Sequence, residues 1–221
     1  MIDAHAERQK ALYEGIWSQD PDYGTRYEDV VDTVRHRIVP HMLRIHPAQC
    51  ERAEEIWRQC GLPSKIDRTK PSFGVVDFGA GDGRFFRALR EELGDYPSTG
   101  RGIAGCIGID VYQPEQLPEN TLWIKAPLWE ARTEADYAIS TDALEHLPTD
   151  MIPATLKNIA VSAPHGFLRI STKQDIYGTE RGLHLHETVQ PPEWWLEQAR
   201  AAGIEPSSWR IYPGHAIEIW F

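Results

Sequence analysis

The stretch Val75-Val76-Asp77-Phe78-Gly79-Ala80-Gly81-Asp82-Gly83 decides how this chain reads. A short apolar run, Phe73–Gly79, enters a turn with glycine at 79, 81 and 83, and Arg84–Leu93 then reads as a helix. Glycines at such a turn let the backbone reverse sharply and let a ligand approach closely. The dinucleotide pattern G-x-G-x-x-G would need glycine at 84, where Arg84 stands, and the Gly-Lys-Ser/Thr of a phosphate-binding P-loop is missing. Asp77, two residues before the first glycine, would repel a diphosphate and attract an ammonium. Asp110 ends the next apolar strand, Ile103–Val111, where a carboxylate can accept both hydroxyls of a ribose. Open α/β sheets bind ligands at the carboxyl ends of their strands, and both carboxylates fall there.

Working outward, Leu122–Lys125, Ala135–Ser140 and Gly166–Ser171 read as strands, and Thr149–Ser162 and Pro192–Ala202 as helices, the latter stopped by Gly203. Trp209–Tyr212 and Ala216–Trp220 read as a hairpin through Pro213-Gly214. This alternation predicts an open, mostly parallel sheet with one antiparallel edge. Upstream, helices are expected at roughly 3–17, 27–45 and 50–60. Val30, Val31, Val34, Ile38, Met42 and Ile45 form a helical stripe, which Pro40 should kink or break. Ser18–Gly24 reads as a loop, and Gly61-Leu62-Pro63-Ser64 should end the third helix. The chain thus divides into a helical segment, 1–70, on the lid and substrate side, and an α/β domain, 71–221.

The 221 residues are 41% hydrophobic with a formal charge of −10. That balance disfavours a broad nucleic-acid surface, which needs Lys and Arg against phosphates, and favours a small-molecule partner. Cys50, Cys60 and Cys106 are odd in number and contain no Cys-x-x-Cys, so reduced thiols are expected rather than disulfides or thiolate zinc. Neither a long apolar span nor a secretory leader is read, so the expectation is a cytoplasmic protein without membrane association.

Val75–Phe85 (VVDFGAGDGRF) resembles motif I of class I S-adenosylmethionine (SAM)-dependent methyltransferases, and Asp136–Pro148 (DYAISTDALEHLP) resembles their fourth-strand motif. The resemblance covers about residues 73–221. It implies a Rossmann-like α/β fold: a seven-stranded, mostly parallel sheet with an antiparallel C-terminal edge strand, here preceded by N-terminal helices. It also implies SAM as cofactor and S-adenosylhomocysteine as product. By resemblance Asp77, Gly79, Ala80 and Gly81 hold the methionine part, with Gly83 completing the turn. Asp110 holds the ribose, Val111, Leu128 and Trp129 contact adenine, and Thr141 and Asp142 line the floor near the sulfonium. The shorter strings, from an N-terminal Tyr-x-x-Ile-Trp through Leu-Trp-Glu, Leu-Glu-His-Leu-Pro, Ile-Ser-Thr and Leu-His-Leu-His-Glu-Thr-Val to Trp-Trp, look like a group of small methyltransferases of phages and bacteria.

Methyl transfer from a sulfonium is an in-line displacement that gains most from alignment, and an O or N acceptor can need a base. The candidates are Asp142, Glu145 and His146 after the fourth strand, and His184, His186 and Glu187 later. Alternation on a strand would place His184 and His186 on one face. The polar tract Lys173–Gly182 reads as a lid. A metal held by Glu145, His146, His184 and His186 would resemble the arrangement of small-RNA 2′-O-methyltransferases, which pair Glu-x-x-His with a later His. The adjacent Glu145-His146 departs from that spacing, and no metal is expected. One of Trp194 and Trp195 should face the core and the other a pocket wall; Tyr13, Trp17 and Tyr23 are lid or packing aromatics. Ser140-Thr141-Asp142-Ala143 replaces the Pro-Pro-aromatic run of DNA amino-methyltransferases, and no Pro-Cys nucleophile exists, so duplex DNA is not expected. The sequence therefore points to methyl transfer onto an O or N atom of a small molecule, nucleotide or sugar-like. The alternatives are an RNA or protein methyltransferase, or a SAM-binding protein without transfer activity.

Overall fold

Strand residues alternate between two buried faces, and that alternation builds the molecule. The computed structural model describes residues 26–45, 53–59, 72–94 and 102–221, together with 8, 11, 12, 15 and 16. Seven strands form one sheet: β1 (Ser72–Phe78), β2 (Gly102–Asp110), β3 (Thr121–Lys125), β4 (Tyr137–Thr141), β5 (Gly166–Ser171), β6 (Ser208–Tyr212) and β7 (Ala216–Trp220). Their order is β3-β2-β1-β4-β5-β7-β6. The first five pair in parallel, and β7 runs antiparallel to both β5 and β6. This is the Rossmann-like sheet expected. The antiparallel part is the C-terminal hairpin, with β7 inside and the exposed β6 outermost.

One face carries Phe73, Val75, Cys106, Tyr137 and Ile139; the other carries Val76, Phe78, Ile107, Ile109 and Leu168. The first face packs on α1 (Tyr27–Thr33) and its continuation, and on α4 (Arg84–Leu93) through Phe85, Phe86, Ala88 and Leu89. The second packs on α5 (Ile152–Ser162) and α7 (Pro192–Ala201). The intervening α2 is Val39–Met42, α3 is Ala53–Gln59 and α6 is Ile176–Glu180. Val30, Val34, Ile38 and Met42 are all fully buried, each worth about 1.5–3 kcal/mol of burial. The N-terminal helix therefore shares a core with the sheet.

Pro40 does not break that helix. Residues Val34–Ile38 widen into a π-helical segment, in which Val39 N–H reaches back to the Val34 carbonyl. The wider turn leads to Pro40 as the second residue of a fresh α-turn, where its missing N–H and its ring are tolerated. The apolar stripe stays continuous because burying four large side chains outweighs a strained turn.

The expected helix at 3–17, the loop 18–24, the end at 61–64, Cys50, Cys60, and the aromatics Tyr13, Trp17 and Tyr23 lie wholly or mostly outside the described residues. Cys106 is buried. Among the described residues no helix is long and apolar enough to cross a membrane.

Candidate functional site

Strand order reverses at β1, with β2 and β3 on one side and β4 and β5 on the other. A crevice opens outside the carboxyl ends of such strands. Here it is a cleft of about 890 Å³ lined by residues of the glycine turn, the ends of β2, β4 and β5, helix α1 with its π-segment, and the C-terminal hairpin.

The turn after β1 is tightly wired. Gly79, Gly81 and Gly83 all have positive φ, at 89°, 55° and 75°. Gly79 is doubly required, since a Cβ there would lie 2.4 Å from Ala143 Cβ. Gly79 and Ala80 N–H donate to the Ile109 carbonyl, Gly81 N–H to Asp110 Oδ2 at 3.0 Å, and Gly83 N–H to the Ala80 carbonyl. Arg84 N–H and its side chain both donate to Asp82. The turn's N–H groups thus point into the protein, whereas a diphosphate cradle would turn them toward the ligand.

Gly79, Ala80, Gly81, Asp110, Val111, Leu128, Trp129, Thr141 and Asp142 all line the cleft. Gly83 and Asp77 do not. Gly83 caps α4 and abuts Pro118, a packing role. Asp77 sits beneath the turn, 1% exposed, with neither carboxyl oxygen hydrogen-bonded. Burial, then the nearby Asp110 and Asp82, push its carboxyl well above the usual range. Asp110 accepts N–H bonds from Gly81 and Tyr112, one on each oxygen. Its burial raises its pKa, against the Tyr112, Gly81 and Val111 N–H groups that favour the charged form. Two N–H bonds leave acceptor sites on each oxygen for a diol. Asp82 is desolvated, yet Arg84 and Arg87 hold its carboxyl below the ordinary value.

Beyond β4, Asp142 adopts φ of 48°, an uncommon conformation for a residue with a side chain. It is fixed there by its N–H on the Arg169 carbonyl and by an ion pair with Arg169 at 3.0 Å. That pairing leaves Asp142 poorly suited as a free base. Glu145 is fully buried; one oxygen accepts Ser171 N–H at 3.0 Å and the other has no hydrogen-bond partner among the described residues. Burial, reinforced by Asp142, raises its pKa well above the ordinary value.

The two histidines of the later cluster separate. Residues 184–189 are irregular rather than a strand, so no alternation operates. His184 is exposed and off the cleft, while His186 lines it with its ring 4.7 Å from that of His146. One potential ligand atom from each of Glu145, His146 and His186 lies within 4.8 Å of the other two. Burial, and then His186, lower the His146 pKa to about 4. Glu187 is exposed. The Lys173–Gly182 tract forms the short helix α6, capped by Asp175 on Gly178 N–H, and presents Asp175 and Tyr177 to the cleft. Trp195 is core, but Trp194 packs against that core and neither lines the cleft, contrary to the expected pocket wall.

Sequence reading missed Arg169 and Glu218, and also the Asp29, Asp32, Thr33 and Arg37 face of the N-terminal helix. Arg169 pairs across the sheet with Thr141 on one side and Glu218 on the other. Glu218 in turn meets Arg37 at 3.5 Å and accepts from Tyr212 Oη at 3.0 Å. The signal was present: a single charge inside an otherwise apolar strand, as in Phe167-Leu168-Arg169-Ile170 and Ile217-Glu218-Ile219, is costly unless it faces a site. Eight carboxylates and three arginines line the cleft, which gives it a negative field that favours cationic ligands.

No protein-family model matches the sequence, and neither does any curated protein. Distantly similar solved structures exist. A Burkholderia thailandensis 1,6-didemethyltoxoflavin-N1-methyltransferase, with 1,6-didemethyltoxoflavin and S-adenosylhomocysteine bound, is 20% identical over 88% of this chain and 85% of its own, with a TM-score of 0.49. Human N-acetylserotonin methyltransferase in complex with SAM is 13% identical over 66% of this chain, with a TM-score of 0.47, and the match spans 47% of the human chain. A cyclopropane synthase from Mycobacterium tuberculosis is 16% identical over 72% of this chain and 61% of its own, with a TM-score of 0.46.

Proposed function

We propose that this chain is a SAM-dependent methyltransferase acting on an O or N atom of a small molecule. The observation that carries the reading is the acidic cleft at the reversal of strand order, floored by a glycine turn whose N–H groups are already engaged. Such a site disfavours a diphosphate and favours a ligand bearing a sulfonium and an ammonium against one carboxylate. In this reading Gly79, Ala80 and Gly81 contact the methionine part, and Asp77 beneath them is drawn toward ionisation by the ammonium. Asp110 accepts the ribose hydroxyls; Val111, Leu128 and Trp129 enclose the adenine; Thr141 and Asp142 face the sulfonium. The acceptor then enters between His146 and His186 on one side and the Asp29–Arg37 helix face on the other. The helix from Tyr27 to Met42 thereby covers the substrate side.

Calorimetry tests the cofactor assignment. SAM and S-adenosylhomocysteine should bind and NAD(H) should not; the reverse result sinks the reading. Asp110→Asn should weaken S-adenosylhomocysteine binding about tenfold or more through loss of charge-assisted bonds. Radiolabelled SAM added to cell extract tests the acceptor class: label should enter the small-molecule fraction. Label in RNA or protein instead would overturn that class, and label in no fraction would favour binding without transfer.

A further inference from the structure

We propose that Glu145, His146 and His186 bind one divalent transition-metal ion, with open coordination positions facing the cleft. The two histidines are 40 positions apart in sequence (146 and 186) and meet because a short network pins residues 185–188 onto the turn after β4. Thr188 N–H donates to the Glu145 carbonyl at 2.9 Å, Thr188 Oγ1 donates to the Leu147 carbonyl at 2.7 Å, and Thr149 Oγ1 meets Thr188 Oγ1 at 2.9 Å. His186 is thus held in place by backbone contacts of its neighbours.

The hydrogen bonds of the rings set their chemistry. His146 Nδ1 lies 2.9 Å from the Leu185 carbonyl and His186 Nδ1 lies 2.6 Å from the Lys173 carbonyl. A carbonyl oxygen can only accept, so each Nδ1 carries the proton. His146 also bonds the Asp142 backbone, and in a neutral ring with Nδ1 protonated the lone pair belongs to Nε2. A ring nitrogen fixed by a carbonyl, with its opposite nitrogen basic, is the arrangement by which histidines ligate metals. Glu145 supplies the third donor. Its Oε1 is oriented by Ser171 N–H, Oε2 is buried without a hydrogen-bond partner among the described residues, and the residue lines the same cleft. A buried carboxylate oxygen without a partner costs free energy that a cation would offset.

Two imidazoles and one carboxylate suit zinc, iron, cobalt or nickel better than magnesium or calcium, which prefer all-oxygen shells. Ligand atoms about 2.1 Å from a tetrahedral ion are about 3.4 Å apart. One potential ligand atom of each residue lies within 4.8 Å of the other two, so side-chain rotations closing the set by about 1.4 Å complete it. Three protein ligands leave at least one position open to water or to a donor atom on the cleft side. His184 takes no part, because it is exposed outside the cleft.

The test uses the full chain stripped with a chelator and titrated with Co²⁺ alone, read by visible absorption, with Zn²⁺ competition by calorimetry. One ion should bind per chain, and azide should shift the cobalt bands through the open position. His186→Ala should weaken binding at least about 100-fold, since losing a ligand exceeds the 10–100-fold typical of losing a ligand's supporting contact. His184→Ala should bind as the parent does. Equal Co²⁺ affinity in the parent and His186→Ala, or loss of binding in His184→Ala instead, would overturn the site; bands unmoved by azide would overturn the open position. His186→Ala is checked for folding by its unfolding transition. Because cobalt binding is read without SAM, a failed cofactor assignment and a failed metal site give separate results.

Discussion

Gly79→Ala isolates the steric logic of the turn after β1. Gly79 has φ of 89°, and a Cβ built on it would lie 2.4 Å from Ala143 Cβ, with the next nearest atoms at 3.8 and 4.0 Å. The positive dihedral costs a non-glycine residue about 1–2 kcal/mol. Forcing a methyl against a packed methyl costs about 1–3 kcal/mol more. The single substitution should therefore destabilise by about 2–5 kcal/mol, a large share of the ~5–15 kcal/mol available to a folded domain. Ala143→Gly removes the clashing atom and leaves ordinary van der Waals distances behind. The double variant should recover about 1–3 kcal/mol of the loss, and keep the dihedral cost. Urea unfolding at constant m reads these differences, and each kcal/mol moves Tm by about 2–4 °C at this chain length. A Gly79→Ala loss below about 0.5 kcal/mol, or a double variant no better than the single, would refute the close approach of these two segments.

Other outcomes follow from the same geometry. Arg169→Met removes the ion pair of Asp142 near Glu145, and should cost about 1–2 kcal/mol, between the values for exposed and buried pairs; adding Asp142→Asn should recover most of it, since Asn also accepts the positive φ at 142. His41, part-buried against Tyr137 Oη at 2.8 Å, has its pKa lowered to about 4 by burial, then by His165 and Arg44. Its folded pKa lies below the unfolded value, so the unfolded chain binds the extra proton and the stability His41 contributes is full above about pH 6.5 and is lost as pH falls toward 4. His41→Gln should flatten that limb of a stability–pH curve, and an unchanged limb would remove His41 as its source. SAM binding should weaken with added salt, because the cleft is rich in carboxylates, whereas zwitterionic S-adenosylhomocysteine should show a shallower slope; equal slopes in calorimetry would reject field-driven selection.

The sheet was legible because each of its signals is local. Strand β1, the three glycines and helix α4 follow within 22 residues, Ser72–Leu93, and each is fixed by its own pattern of burial and dihedral angle. What escaped depends on partners distant in sequence. Pro40 reads as a break, yet the buried stripe from Val30 to Met42 keeps the helix continuous through a π-turn. His184 and His186 read as a pair on a strand. Side-chain and carbonyl bonds to residues 145–149 set the segment instead, and these send His186 inward and His184 out. Arg169 and Glu218 looked like strand residues until pairing set them side by side. Asp77 was legible as an acid near the end of β1, but its depth beneath the turn was not.

Asp77 and Glu145 are fully buried, one below the glycine turn and the other beyond β4, and each has carboxyl oxygen without a hydrogen-bond partner among the described residues. A buried unsatisfied group of this kind costs about 1–3 kcal/mol, and an apolar residue of similar volume would avoid it. Among the described residues no donor meets these oxygens. The two sites therefore suit positive charge supplied by ligands: an ammonium above Asp77, and a metal ion at Glu145. Asp77→Asn and Glu145→Gln should consequently leave the unliganded chain as stable or more so at neutral pH, while weakening SAM and Co²⁺ binding respectively. If either variant instead unfolds without loss of its ligand, the carboxyl belongs to the scaffold and not to the site.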